Sequence, residues 1–199
     1  MIHVTQAIHM ALPSEYGGVP EETMAFARDR GRAVHAACHY LSEDALDWDS
    51  LDPRVEPFVR GFQKFLADTG MTIDGMEVPV THTRYAYQGT LDMIGMVASK
   101  QKRGRPQRWL VDIKCTAKVS DYTALQTAGY ALAWQSMNGR KNVTRRFTLQ
   151  LKGDGTYNRV EWKDAGDEKA FLACLTVANW MRQHGIEPDE HEEKEEDDG

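Results

Sequence analysis

Two acids interrupt stretches of this chain that otherwise call for burial. Asp92 lies within Gly89-Thr90-Leu91-Asp92-Met93-Ile94-Gly95, and Asp112 lies within Trp109-Leu110-Val111-Asp112-Ile113-Lys114. Removing an ionised group from water costs several kcal/mol unless the group is paired or holds a cation. A strand alternates faces with a period of two, so Lys114 is expected on the face of Asp112. Two acids and one lysine therefore share a locale. One reading is a buried Asp–Lys ion pair with Asp92 capping a turn; the other is a metal centre.

The metal reading accounts for more of the residues. Two carboxylates from neighbouring strands and a backbone carbonyl, such as that of Ile113, make the hard oxygen site that Mg²⁺ or Mn²⁺ prefers. Such an ion lowers the pKa of water and neutralises charge on a scissile phosphate, while Lys114 can position the water or stabilise the transition state. Hydrolysis of a phosphodiester is the natural use of that set.

The rest of the chain reads as an α/β protein with a mixed central β-sheet flanked by helices. A short segment from Thr5 and a loop from Pro13 to Pro20 precede a helix over 21–42, with Met24, Ala27, Val34, Cys38 and Leu41 at helical spacing and His35 on the same stripe. A second helix is expected from Pro53, through Phe58, Phe62 and Phe65, to a stop at Gly70. Strand signals follow over 71–81, 85–97 and 108–115 as an antiparallel meander. A helix over 121–138 takes Asp121 as its N-cap, a hairpin joins 143–152 to 156–162 around Gly153-Asp154-Gly155, and a last helix covers 167–184.

Four segments in this order resemble the PD-(D/E)XK nuclease superfamily, and within it the RecB-like branch that includes many phage exonucleases. Gly31 and His35 resemble its GxxxH helix motif, Gly89 to Asp92 its GxxD strand, Asp112-Ile113-Lys114 its (D/E)xK, and Gln126 to Tyr130 its QxxxY helix. Glu77 matches an additional acidic position more loosely. The resemblance spans residues 5–162. It implies a restriction-endonuclease-like core in which His35, Asp92 and Asp112, with the Ile113 carbonyl, bind Mg²⁺ or Mn²⁺. It implies that Lys114 is the catalytic lysine and that Gln126 and Tyr130 support the site and contact DNA. The i, i+4 spacing independently puts Gln126 and Tyr130 on one helix face, with Tyr122 one turn earlier as a stacking ring.

The implied function is metal-dependent hydrolysis of DNA, as an exonuclease of recombination, repair or replication, on linear duplex or single strands. An RNA nuclease, or a DNA-binding scaffold that no longer cuts, remains open. Lys100, Lys102, Arg103, Arg105 and Arg108, in the loop between the two acidic strands, and Arg28, Arg30 and Arg32 around His35 suit phosphate contact. Arg140, Lys141, Arg145 and Arg146 read as a solvated face. No GxxxxGK[ST] phosphate loop is present, so a helicase or a single-strand annealing protein is the expected partner, and a homo-oligomer could supply processivity.

Composition bounds the remaining readings. The net charge is −6, but residues 187–199 hold nine acids against Lys194, which leaves residues 1–186 at +2. The expectation is one nuclease domain over 1–186 and an acidic, disordered tail over 187–199. Cys38, Cys115 and Cys174 lie far apart with no CxxC, which argues against disulfides, a thiolate zinc site or the four-cysteine iron–sulfur cluster of some RecB-like nucleases. No apolar run approaches the roughly 18 residues of a membrane helix. The first 13 residues carry no Lys or Arg and so lack the basic start of a signal peptide, and a cytoplasmic protein of a bacterial or phage-infected cell is expected.

Overall fold

The stripe of apolar residues over 21–42 forms helix α2 (Glu21–Ser42), which buries Val34, Ala37 and Cys38 against the sheet. In the computed structural model, which describes residues 1–13, 18–99, 101, 103–139 and 142–186, it is one of five helices around a six-stranded sheet. The others are α1 (Val4–Ala11), α3 (Glu56–Thr69), α4 (Tyr122–Asn138) and α5 (Gly166–Gln183). The strands are β1 (Ile2–His3), β2 (Thr72–His82), β3 (Tyr87–Val97), β4 (Gln107–Lys114), β5 (Arg145–Leu151) and β6 (Tyr157–Trp162).

β3 is the hub. It pairs antiparallel with β2 along most of its length and with β4 over its last residues, and it pairs parallel with β1 at Tyr87 and Gln88. β4 and β5 run parallel, joined through α4, and β5 turns back into β6 as the expected hairpin. The sheet is therefore mixed, with helices on both faces. The meander and the order of the later elements are as expected from sequence. β1 and α1 were not: a two-residue strand carries no periodicity, and α1 is held by burial of Val4, Ala7 and Ile8 against its neighbours.

One expected helix start keeps its place without its side-chain cap, and another moves. Asp121 is itself helical and makes no side-chain cap; instead Ser120 Oγ accepts the Tyr122 N–H at 3.0 Å and the Ser120 carbonyl accepts that of Thr123 at 3.2 Å. α3 begins at Glu56 rather than Pro53, because the Asp52 carboxylate accepts the Arg54 N–H at 2.8 Å and holds the preceding residues in a separate turn. Residues 187–199, the expected acidic tail, lie outside the described residues.

Two cores sandwich the sheet. One, beneath α2 and α3, contains Phe58, Phe62, Phe65, Trp109, Val111, Ile113 and Phe147; the other, beneath α1, α4 and α5, contains Tyr87, Leu91, Ile94, Leu110, Tyr130 and Phe171. β4 alternates between them strictly. β3 does not: Leu91 belongs to one core and Met93, two residues on, to the other. The alternation breaks at Asp92. Directly across, between the pairs Met76↔Met93 and Val78↔Leu91, stands Glu77 with a left-handed φ of 48°. A side chain in that conformation costs of order 1 kcal/mol or more, and the distortion turns two acids from adjacent strands toward α2. Among the described residues no helix is long and apolar enough to cross a membrane.

Candidate active site

At this break in the sheet, ligand atoms of His35, Glu77 and Asp92 come within 4.8 Å of one another. His35 projects from α2 and is held at both ring nitrogens. Nδ1 lies 3.2 Å from Glu77 Oε1 and 3.9 Å from Asp92 Oδ1, and Nε2 lies 3.0 Å from the Ile113 carbonyl oxygen. Both neighbours are acceptors, so the doubly protonated ring satisfies the site. Burial works against that charge, but the Glu77 hydrogen bond and the Asp92 carboxylate outweigh it and raise the pKa to about 9. Without a metal, the imidazolium supplies the positive charge.

Asp92 is fixed from the other side: its Oδ2 accepts the Ile113 N–H at 2.6 Å. Ile113 thus offers its N–H to Asp92 and its carbonyl to His35, which ties β3, β4 and α2 together through one peptide.

Asp112 and Lys114 lie next along β4. Lys114 Nζ donates to Asp112 Oδ1 at 2.8 Å, as the strand period requires. Asp112 is buried, and its second oxygen, Oδ2, has no hydrogen-bond partner among the described residues. Burial, opposed by Lys114, raises its pKa to about 6. Burial alone would lower the Lys114 pKa, but Asp112 and Asp92 hold it above its usual range, so the ammonium is fixed as a cation.

α4 closes the site from the opposite face. Gln126 Nε2 donates to the Tyr130 hydroxyl at 3.2 Å, and burial pushes the Tyr130 phenol up. The ring lies against β3 at Gly89, where a Cβ would stand 2.6 Å from Tyr130 Cε1. Gly89 therefore clears the space for Tyr130. Tyr122 donates to the Pro13 carbonyl at 3.0 Å and lines, with Lys114 and Gln126, a 440 Å³ cavity.

A larger cavity of 710 Å³ opens on His35 and Glu77, flanked by Arg28, Arg32, His39 and Tyr40. Gly31 forms part of its wall, and nothing lies within 4 Å of where its Cβ would be. Arg28 is paired with Glu21 and Arg32 with Asp29, both on the surface of α2. Arg30 turns inward instead, donating to the Cys115 carbonyl at 2.9 Å with its guanidinium over Phe26 and Phe58.

The described residues of the basic loop are not part of this site. Val97 and Gln107, at its base, are five residues along the strands from Asp92 and Asp112, about 17 Å at the rise of a strand. Arg105 lines a different cavity, Arg103 is exposed, and Arg108 pairs with Asp74 at 3.4 Å. Lys100 and Lys102 lie outside the described residues, as do Arg140 and Lys141. Arg145 and Arg146, expected on a solvated face, are half-buried in ion pairs with Glu161 and Asp167, which the adjacent strand β6 and helix α5 bring to them.

Sequence reasoning passed over Gln150. Its amide donates to the carbonyls of Thr116 and Ala117 at 2.8 and 2.9 Å and so holds the connection that leaves Lys114 for α4. A buried polar residue in an apolar strand was the available signal. His39, read as a surface residue, lines the His35 cavity and stands 3.2 Å from Glu43.

No protein-family model and no curated protein matches the chain. Solved structures do. A candidate exonuclease from Eubacterium rectale aligns over 94% of this chain and 83% of its own, at 14% identity and a TM-score of 0.53. An alkaline exonuclease from Laribacter hongkongensis aligns over 92% of both chains at 15% identity with a TM-score of 0.35, and its complex with dAMP over 92% and 93% at 17% identity and 0.34. Those two scores are too low to add to the comparison. The mixed sheet, its flanking helices and the first of these likenesses show that the chain has the restriction-endonuclease-like fold expected from its sequence.

Proposed function

We propose that this chain is a metal-dependent deoxyribonuclease that hydrolyses phosphodiester bonds, acting as an exonuclease. The carrying observation is the convergence of His35, Glu77 and Asp92 within 4.8 Å, beside a buried Asp112 oxygen with no partner. A nitrogen, three carboxylates and the Ile113 carbonyl are the donor set of a divalent, oxygen-preferring cation, and a buried orphan carboxylate oxygen is what such a cation would satisfy. Mg²⁺ or Mn²⁺ fits those residues. When bound, the ion supplies Lewis-acid charge that acidifies water and offsets the charge of the scissile phosphate.

The residues of the chain do the rest. Lys114, held protonated, is a fixed donor for a phosphoryl oxygen and is unsuited to act as a base. Asp112 orients it through the 2.8 Å bond. Gln126, which donates to the Tyr130 hydroxyl, lines the cavity beside Lys114, and Arg28 and Arg32, at the mouth of the larger cavity, meet the strand on its way in. The fold shared with a candidate exonuclease supports the class of reaction. These 199 residues contain no phosphate-loop motor sequence, so duplex unwinding falls to a helicase or annealing partner in recombination, repair or replication.

The test is degradation of an end-labelled linear duplex, its single strand and a closed circle with Mg²⁺ or Mn²⁺, with Lys114→Ala as control. Loss of linear substrates, an intact circle and an inactive variant are expected. Cutting of the circle would make the protein an endonuclease, and wild-type protein that cuts nothing would sink the catalytic reading.

A further inference from the structure

A cavity of 560 Å³ opens at the far end of β3 and β4, between the hairpin loop that joins them and the C-terminal end of α3. Arg105, Arg145 and Arg159 line it. Among the described residues its one acidic lining residue, Asp68, is already engaged, by Lys64 Nζ at 3.0 Å and by the Tyr157 hydroxyl at 2.9 Å. Arg145 is matched by two 2.6 Å bonds to Glu161. Arg105 and Arg159 have no acidic partner among the described residues, so the cavity carries an excess of two positive charges.

Arg159 is also preorganised. Its guanidinium carbon lies 5.0 Å from the Trp109 ring centre and 4.8 Å from that of Phe147, with Arg145 at 5.2 and 5.0 Å from the same rings. Stacking on buried aromatic rings holds a guanidinium in place while leaving its edge donors free, the arrangement that suits a phosphate oxyanion.

We infer that this cavity binds backbone phosphates of the substrate strand at a distance from the cut. The inference rests on the nuclease reading and extends it. The base of the loop carrying Arg105 lies about 17 Å along the strands from the acids, while the backbone of Arg159 is level with Ile113 two strands, about 10 Å, away, so the anchor meets a B-form strand about three to five nucleotides from the scissile bond, given one phosphate per roughly 3.4 Å. Substrates too short to span that interval use the catalytic acids alone; longer ones gain the additional contacts.

The experiment compares wild type with the double variant Arg105→Ala/Arg159→Ala, in binding and in cleavage. Anisotropy of labelled trinucleotides and 20-mers in EDTA, over a salt series, reads the anchor without hydrolysis. The variant should bind the 20-mer about tenfold more weakly with a salt slope lower by about 1 to 2, while trinucleotide affinity and cleavage of a small phosphodiester stay at wild-type levels. Inorganic phosphate should raise the melting temperature of wild type and not of the variant. Unchanged 20-mer affinity in a variant that has lost the phosphate effect would assign the cavity to a free phosphorylated ligand and overturn the strand anchor. Unchanged affinity with an unchanged phosphate effect would overturn the site. A wild type that cleaves DNA normally in either case leaves the nuclease reading intact, whereas one that neither binds nor cleaves DNA removes both.

Discussion

Glu77 Oε1 lies 3.2 Å from His35 Nδ1, across 42 residues of sequence, and the other ring nitrogen faces the Ile113 carbonyl. The folded protein therefore binds the second imidazole proton more tightly than the unfolded chain does. With the pKa raised from 6.5 to about 9, that contribution is complete below pH 6.5 and disappears as pH rises through about 9. In EDTA, wild type should lose about 2 kcal/mol of stability over that window relative to His35→Gln, at roughly 1.4 kcal/mol per pKa unit with allowance for partial exposure. Urea unfolding at pH 6.5 and 9.5 measures it; equal losses in the two proteins would refute the role. Mn²⁺ affinity should climb over the same interval, because a ligating imidazole must first release its proton.

Glu77 occupies a left-handed backbone conformation inside a strand. Glycine adopts that conformation without penalty and alanine does not, so Glu77→Gly should be more stable than Glu77→Ala by about 1 kcal/mol. Both should bind Mn²⁺ at least about tenfold more weakly than wild type. Thermal melts and a calorimetric titration separate the backbone from the carboxylate; an alanine variant as stable as the glycine variant would show that the strand is not strained there.

Lys114 is the ammonium that compensates the buried Asp112. Its removal pushes the Asp112 carboxyl further up and should cost about 3 kcal/mol at pH 8, where the buried carboxyl must either stay charged without its partner or take up a proton from dilute solution, and less at pH 5, where protonation is easy. A Lys114→Met deficit that grows with pH is the expected signature in denaturant titrations, and one that does not change with pH would contradict it. Activity of wild type should fall below about pH 6 as Asp112 takes up its proton.

Gly89→Ala would drive a methyl to within 2.6 Å of the Tyr130 ring. A cost of about 1–3 kcal/mol is expected, with reduced activity as the ring and Gln126 shift. Combining it with Tyr130→Ala should restore part of the stability lost through the clash, because the ring is then absent. A double-mutant cycle showing simple additivity would mean that the two residues do not touch.

The acids in apolar strands, the lysine two residues on, the helical stripe carrying His35 and the Gln126–Tyr130 spacing are all local patterns, and local geometry alone places each on its element. That is why the order of elements from α2 to α5, the strand pairing of the meander and the Asp112–Lys114 bond were readable in the sequence. What the chain could not disclose locally is where the strands break step. Whether Glu77 or Asp112 faces His35 depends on a distortion opposite Asp92, which arises from the pairing of β2 with β3 and from the two cores competing for Leu91 and Met93. The same holds for the basic loop. Adjacency in sequence to the acidic strands suggested a role at the site, but five residues of strand carry its described part to the other end of the sheet, where Arg145 of β5 and the guanidinium of Arg159, reaching from β6 to the Trp109 ring, line one cavity with Arg105. Sequence spacing sets distances along a strand, whereas distances between strands and helices follow from how their side chains share a common interior.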